Sequence, residues 1–210
     1  MTVSRLYPDP RVPGYLIVEA GGGRFASLPV EVVQELGLKE GGHLDAGTVE
    51  LLRARAEVDG AWRVATSLLA ARARSAGELE RKLRERAHHP EAIRAALDRL
   101  RASGALDDGA FSRQFAASRL GKGHGASRVL SDLLARGVER RVAERAVKEA
   151  SRDEGIRSAD QVERLIQRRA AVGRSLPVAV RRRRLLSYLA RRGFQGGRVR
   201  VLVERAVSQV

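Results

Sequence analysis

The sequence predicts a mainly α-helical protein of three tandem three-helix, helix-turn-helix-like repeats, preceded by a small N-terminal β-hairpin segment. Three observations lead there. Apolar residues recur at helical spacing almost continuously from Val49 onward. That pattern repeats, with matching turns at Ala87, Gly137 and Gly193, at intervals of 50 and 56 residues. Only the first third carries β-forming runs interrupted by glycine.

Residues 1–48 form the N-terminal segment. YLIVEAGGGRFASLPVEV reads as strand, glycine turn and strand: Tyr15 to Val18 are β-formers, Gly21 to Gly23 supply the turn, and Arg24 to Leu28 run extended to Pro29. A short helical pattern from Val30 to Leu36 is closed by Gly37. The glycine triplet lacks the strand-to-helix setting and downstream acid of a dinucleotide site, so it reads as a hairpin turn.

The repeats occupy 49–105, 106–155 and 156–210. A leading helix opens each: Val49 to Ala73, Asp107 to Leu120, and Ser158 to Ala171. A helical hairpin follows, SAGELERKLRERAHHPEAIRAALDRL from Ser75, GASRVLSDLLARGVERRVAERAVKEA from Gly125, and VRRRRLLSYLARRGFQGGRVRVLVERA from Val180. Aligned at Ala87, Gly137 and Gly193, the apolar positions coincide. Leu79 matches Val129 and Leu185, Leu83 matches Leu133 and Leu189, and Leu97 matches Val147 and Val203. Glycine suits a left-handed helix-ending position, and Pro90 opens the following helix in the first copy. A hairpin of two helices cannot bury its own stripe, so the leading helix completes a small bundle.

Composition narrows the functional classes. The chain has 210 residues, 31% charged and 43% hydrophobic, which is globular rather than disordered. No run of about 18 apolar residues and no secretory signal is visible. Cysteine is absent, which excludes disulfides and thiolate metal sites and fits a cytoplasmic protein. The net charge of +15 is unevenly placed: residues 1–56 carry −1, residues 57–156 carry +5, and residues 157–210 carry +11. Such a field favours nucleic acid, an anionic surface or an acidic protein groove. His43, His88, His89 and His124 make no closed metal site, and no nucleophilic triad or nucleotide-binding loop appears. A binding protein without cofactor is expected, not an enzyme. Aromatics are too sparse for a base-stacking platform, and Trp62 reads as core.

The most specific stretch is LDDGAFSRQFAASRLGKGHGASRVLSDLLARGV, Leu106 to Val138. Together with YLIV…GGGRFASLPVEVV…LGLKEGGHLD and ARARSAGELERKL, it resembles the RecX family of regulatory proteins. Asp107, Asp108, Phe111, Arg119, Gly125, Leu133 and Gly137 fall where that family's central motif has its aspartates, aromatic, arginine, glycine, leucine and glycine. One departure is Ala87-His88-His89-Pro90, which stands in place of a glycine turn. The resemblance implies an elongated, curved arrangement of the repeats. It also implies binding along a RecA–DNA filament and restraint of its ATPase, strand-exchange and coprotease activities in recombination, DNA repair and the SOS response.

Asp107 at a helix start is expected to accept backbone N–H bonds. GKGHGAS lacks the spacing of a phosphate loop and reads as a helix connection, with Lys122 as a secondary phosphate contact. RRRRLLSYLARRGF carries the strongest binding signal. At about 100° per residue, Leu185 and Leu189 share one stripe and Arg181 and Arg192 border it. Arg183, Arg184, Ser187 and Arg191 lie opposite. No acid occurs between Glu163 and Glu204, whereas a merely solvated face mixes signs, as ELERKLRER does. Arg181 to Arg184, Arg191 and Arg192 are therefore the expected contacts, together with Arg168, Arg169, Arg174 and Lys122. Guanidinium groups suit both phosphates and carboxylates. Expected partners are the RecA filament and single- and double-stranded DNA through phosphates, bound by a monomer with no membrane role. Alternatives are a stand-alone DNA-binding protein or transcription regulator, and a scaffold for another acidic protein.

Overall fold

A computed structural model describes residues 1–153, 155–171 and 176–208. The chain divides into two compact units. The first comprises Met1–Ala73 and Leu79–Leu106; the second comprises Arg74–Glu78 and the chain from Asp107 onward.

The first unit opens with an antiparallel sheet of order β1 (Val3–Pro8), β2 (Tyr15–Ala20) and β3 (Gly23–Pro29). Ala20 pairs with Gly23 across the two-residue loop Gly21-Gly22. Both loop residues have positive φ, 63° and 88°, the backbone a tight hairpin turn demands. β1 is an addition to the expected hairpin. Its sequence VSRLYP buries only Val3 and ends in proline, a weak strand signal that an edge position tolerates. The sheet, α1 (Val30–Glu35) and the start of α2 (Ala46–Ala71) enclose Val18, Leu28, Val33 and Leu52. α2 begins three residues before the apolar pattern because Asp45 caps it, accepting the Thr48 N–H at 2.7 Å.

Further along α2, Ala61 and Ala65 are fully buried, small enough for close packing against α4 (Pro90–Ala102). Just before them on α2 sits a buried acid. Asp59 accepts the Tyr15 hydroxyl at 2.9 Å and pairs with Arg63 at 3.3 Å and Arg99 at 3.6 Å. Arg99 also lies 4.0 Å over the Trp62 ring, so Trp62 is half-buried under a guanidinium rather than enclosed in the core. Burial and the neighbouring Asp59 push the Tyr15 hydroxyl up to about 12 from 10.0.

The three helical hairpins share one turn. α3 (Ala76–Glu85) leads to α4, α6 (Ala126–Ala135) to α7 (Arg140–Asp153), and α9 (Val178–Arg191) to α10 (Gly197–Ser208). Gly137 and Gly193 adopt φ of 77° and 83°, and Ala87 adopts 60°. In each copy the next residue's N–H returns to a leucine carbonyl: His88 to Leu83, Val138 to Leu133, Phe194 to Leu189. This is the six-to-one bond of a Schellman ending. The departure at Ala87 therefore changes the residue but not the turn. His88 covers it, its Nδ1 3.1 Å from Glu57 Oε1. The matched apolar positions Leu79, Val129 and Leu185 are all buried, as are Leu83, Leu133 and Leu189.

Within the second unit, helix starts meet helix ends. The Ser75 hydroxyl, at the head of α3, donates to the Arg136 carbonyl at 2.6 Å, and the Gly125 N–H donates to the Arg192 carbonyl at 2.6 Å. Each bond satisfies a carbonyl left over at the end of α6 or α9 and sets opposite helix-dipole ends together. Glycine makes the approach possible. A Cβ on Gly77 would stand 2.7 Å from Gly137 Cα, and one on Gly125 would stand 2.3 Å from Gly193 O.

Gly125→Ala is thus expected to destabilise the protein by about 2–4 kcal/mol, because backbone on both sides must shift; chemical denaturation measures it. Ala87→Gly should stabilise by about 1 kcal/mol, the cost of a left-handed alanine. A second test concerns alkaline pH. The folded state keeps the Tyr15 proton that the unfolded chain releases near 10, so this contribution is complete below 10. It is lost between pH 10 and about 12. Tyr15→Phe should flatten that part of the stability–pH curve.

Candidate polyanion-binding site

α8 (Gly155–Ala171), α9 and α10 form the third repeat around Val162, Ile166, Leu185, Leu189 and Val203. Leu185 and Leu189 are buried, so RRRRLLSYLARRGF is a packed helix as far as Arg191, and each of its arginines leaves the helix on a set face. Arg183, Arg184 and Arg191 are exposed on the face opposite the stripe, and Arg181 and Arg192 are half-buried at its border. Arg181 is drawn in far enough that its Nε and Nη1 are buried, with no hydrogen-bond partner.

Two concave regions gather the expected residues. The first, about 360 Å³, is lined by Arg169, Arg181, Arg183, Arg184 and Arg191, over an apolar floor that includes Leu185 and Val207. The second, about 270 Å³, brings Lys122 and its flanking Gly121 and Gly123 beside Arg164, Arg168 and Arg192. Tyr188 lies between the two sets, with Arg169 and Arg192 guanidinium carbons 5.0 and 5.1 Å from its ring centroid. No carboxylate lines either cavity among the described residues. Arg182 stands apart: it pairs with Glu204 at 3.1 Å, an acid 22 positions away that α10 carries back to α9. Arg174 lies outside the described residues.

The aspartate pair divides its work. Asp107 caps its own helix, α5 (Asp108–Gly121), accepting Gly109 N–H at 2.7 Å and Ala110 N–H at 3.0 Å. Those backbone donors hold its carboxyl below the usual range. Asp108 instead caps α3, accepting the Ala76 N–H at 2.8 Å. The remaining motif residues converge nearby. Phe111 stacks on Phe115 at 6.0 Å, and Arg119 and Arg136 approach the Phe115 ring at 5.2 and 4.9 Å. Leu133 is buried, and Gly125 and Gly137 occupy the glycine contacts described above. Arg136 also forms an ion pair with the buried Glu78 at 2.5 Å. Ser75 and Glu78, three apart, bond reciprocally to each other's backbone N–H as a capping box. The S-x-x-E spacing of SAGE is a local signal for this box that the sequence reading did not use; the partnership with Arg136, 58 residues on, has no local signal.

The described residues contain no helix long and apolar enough to cross a membrane, and no group of three or more acids or histidines placed to hold a metal ion. Tandem three-helix repeats with a basic surface on the last of them define a helical-repeat protein. Residues 61–100 match the family model for the first three-helix domain of RecX, and residues 107–147 match that for the second. The regulatory protein RecX of Pseudomonas syringae pv. tomato is 39% identical over 130 residues, covering 60% of this chain and 80% of that one. Its counterpart in Chromohalobacter salexigens is 38% identical over 136 residues, covering 65% and 86%. A crystal structure of regulatory protein RecX superposes with a TM-score of 0.77 over 97% of this chain and 98% of that one, at 16% identity. The RecX from Lactobacillus salivarius gives 0.62 over 73% and 98%, at 15% identity. The chain belongs to the RecX family of regulatory proteins.

Asp107→Ala and Asp108→Ala should each lower the melting temperature while leaving the α9 surface intact. Calorimetry alongside DNA-binding titration checks this: a large binding loss at unchanged stability would assign the pair a direct contact instead.

Proposed function

We propose that this protein binds the RecA–DNA nucleoprotein filament and restrains its ATP hydrolysis, strand exchange and coprotease activity, performing no chemistry of its own. Family membership supports the regulatory role. The observation that carries the mode of action is the gathering of exposed guanidinium groups on the third repeat around two cavities whose described linings hold no acid. Arg183, Arg184 and Arg191 present bidentate donors to phosphates or to carboxylates of the recombinase. Lys122, Arg168 and Arg192 extend the same sign of charge along a second, more open depression, which suits a continuous sugar–phosphate strand. Contact of this kind is independent of base sequence and weakens steeply with salt. Arg182, satisfied by Glu204, contributes less than its neighbours.

Titrating the protein into RecA-catalysed ATP hydrolysis on circular single-stranded DNA tests the reading; inhibition at low stoichiometry is expected, and none would refute it. The double variant Arg184→Glu, Arg191→Glu should weaken filament or DNA binding by about tenfold or more at 0.1 M salt and lower the salt slope, with helix content unchanged. A sharp preference for one duplex sequence would favour a stand-alone DNA-binding protein.

A further inference from the structure

The cavity beneath α9 differs from an exposed basic ridge in one respect. Arg181 lines it, and two of that side chain's guanidinium nitrogens, Nε and Nη1, are buried without hydrogen-bond partners. Buried donors left unmet are costly, and a charged one more so. Around it the lining adds Arg169 from α8 and Arg183, Arg184 and Arg191 from α9, together with the exposed Ser187. α10 contributes apolar Val207 to the floor. Five guanidinium groups thus converge on a volume of about 360 Å³, and the described lining offers no carboxylate to neutralise them.

An internal phosphodiester carries one negative charge and two free oxygens, and the sugars on both sides limit how deeply it can enter a concave site. A phosphate monoester carries up to two charges and three free oxygens, and projects from the end of whatever bears it. We propose that this cavity is a binding site for a terminal phosphate, with Arg181 as the inner anchor and Arg169, Arg183, Arg184 and Arg191 as the rim. Its bearer is either a free oligophosphate, such as the tail of a nucleotide, or the 5′-phosphorylated end of a DNA strand. The assignment rests on the polyanion-binding reading of the third repeat and gives that surface one specific ligand group.

The test compares two single-stranded oligonucleotides of identical sequence, one 5′-phosphorylated and one 5′-hydroxyl, by fluorescence anisotropy with the full-length protein. The phosphorylated strand should bind about tenfold more tightly. Its advantage should shrink as pH falls from 7 to 5, as the monoester dianion takes up a proton near 6 and loses one of its two charges. Arg181→Gln should abolish the preference, and the exposed Ser187→Asp should do the same if Arg181→Gln fails to fold. Inorganic tripolyphosphate identifies the source: competition at micromolar concentration points to free oligophosphates, and competition only by phosphorylated ends points to DNA termini. Equal binding of the two strands, with no competition by tripolyphosphate, overturns the proposal. Closed circular DNA separates the two readings. If it binds while phosphorylated and hydroxyl strands bind alike, the terminal-phosphate site fails and the broader DNA-binding surface stands.

Discussion

The second unit depends on a contact that only glycine permits. At the head of α3, Gly77 lies against Gly137, and at the head of α6, Gly125 lies against Gly193, so close that a methyl group at either place would meet backbone at under 3 Å. That approach brings helix-start donors within reach of carbonyls that α6 and α9 leave unpaired at their ends. Apolar burial within each repeat holds its three helices together but is non-directional. The glycine contact and its hydrogen bonds supply the direction. Asp108 and the Arg136–Glu78 pair reinforce one of the two junctions with charge, capping Ala76 and filling the space beside Phe115.

This arrangement explains why the stretch from Leu106 to Val138 is dense in distinctive residues although it contains no catalytic set. Asp107, Asp108, Gly125 and Gly137 each end, begin or join a helix, and Leu133 fills the core beside them. They determine how helices abut and leave the outer faces free to vary. The third repeat uses that freedom for arginine. Its core is built from the same positions as the others, yet the face away from Leu185 and Leu189 carries like charges that repel one another. Such a face is electrostatically unbalanced in isolation, and an anion of any kind would lower its self-repulsion.

Chain topology then sorts the arginines. Arg182 meets Glu204 from α10, Arg192 and Arg169 settle over Tyr188, and Arg181 is half-buried with two guanidinium nitrogens unmet. Arg183, Arg184 and Arg191 remain exposed. An unbroken run of four arginines therefore holds three different environments, decided by the 100° turn between successive helical residues.

The helical class, the repeats, their turns and the charged face of α9 followed from the sequence alone, because apolar periodicity, glycine placement and charge sign are local properties of adjoining residues. Leu79, Val129 and Leu185 declared themselves by spacing. β1 escaped notice because an edge strand that buries one side chain leaves almost no alternation to read. The pairings Asp108 with Ala76, Glu78 with Arg136, Asp59 with Tyr15, and Arg182 with Glu204 are separated by 22 to 58 residues. Nothing local specifies them. They exist because packing brings distant backbone ends and buried charges together, where an unmet donor or carboxylate would be expensive, and only the tertiary structure decides which groups meet that need.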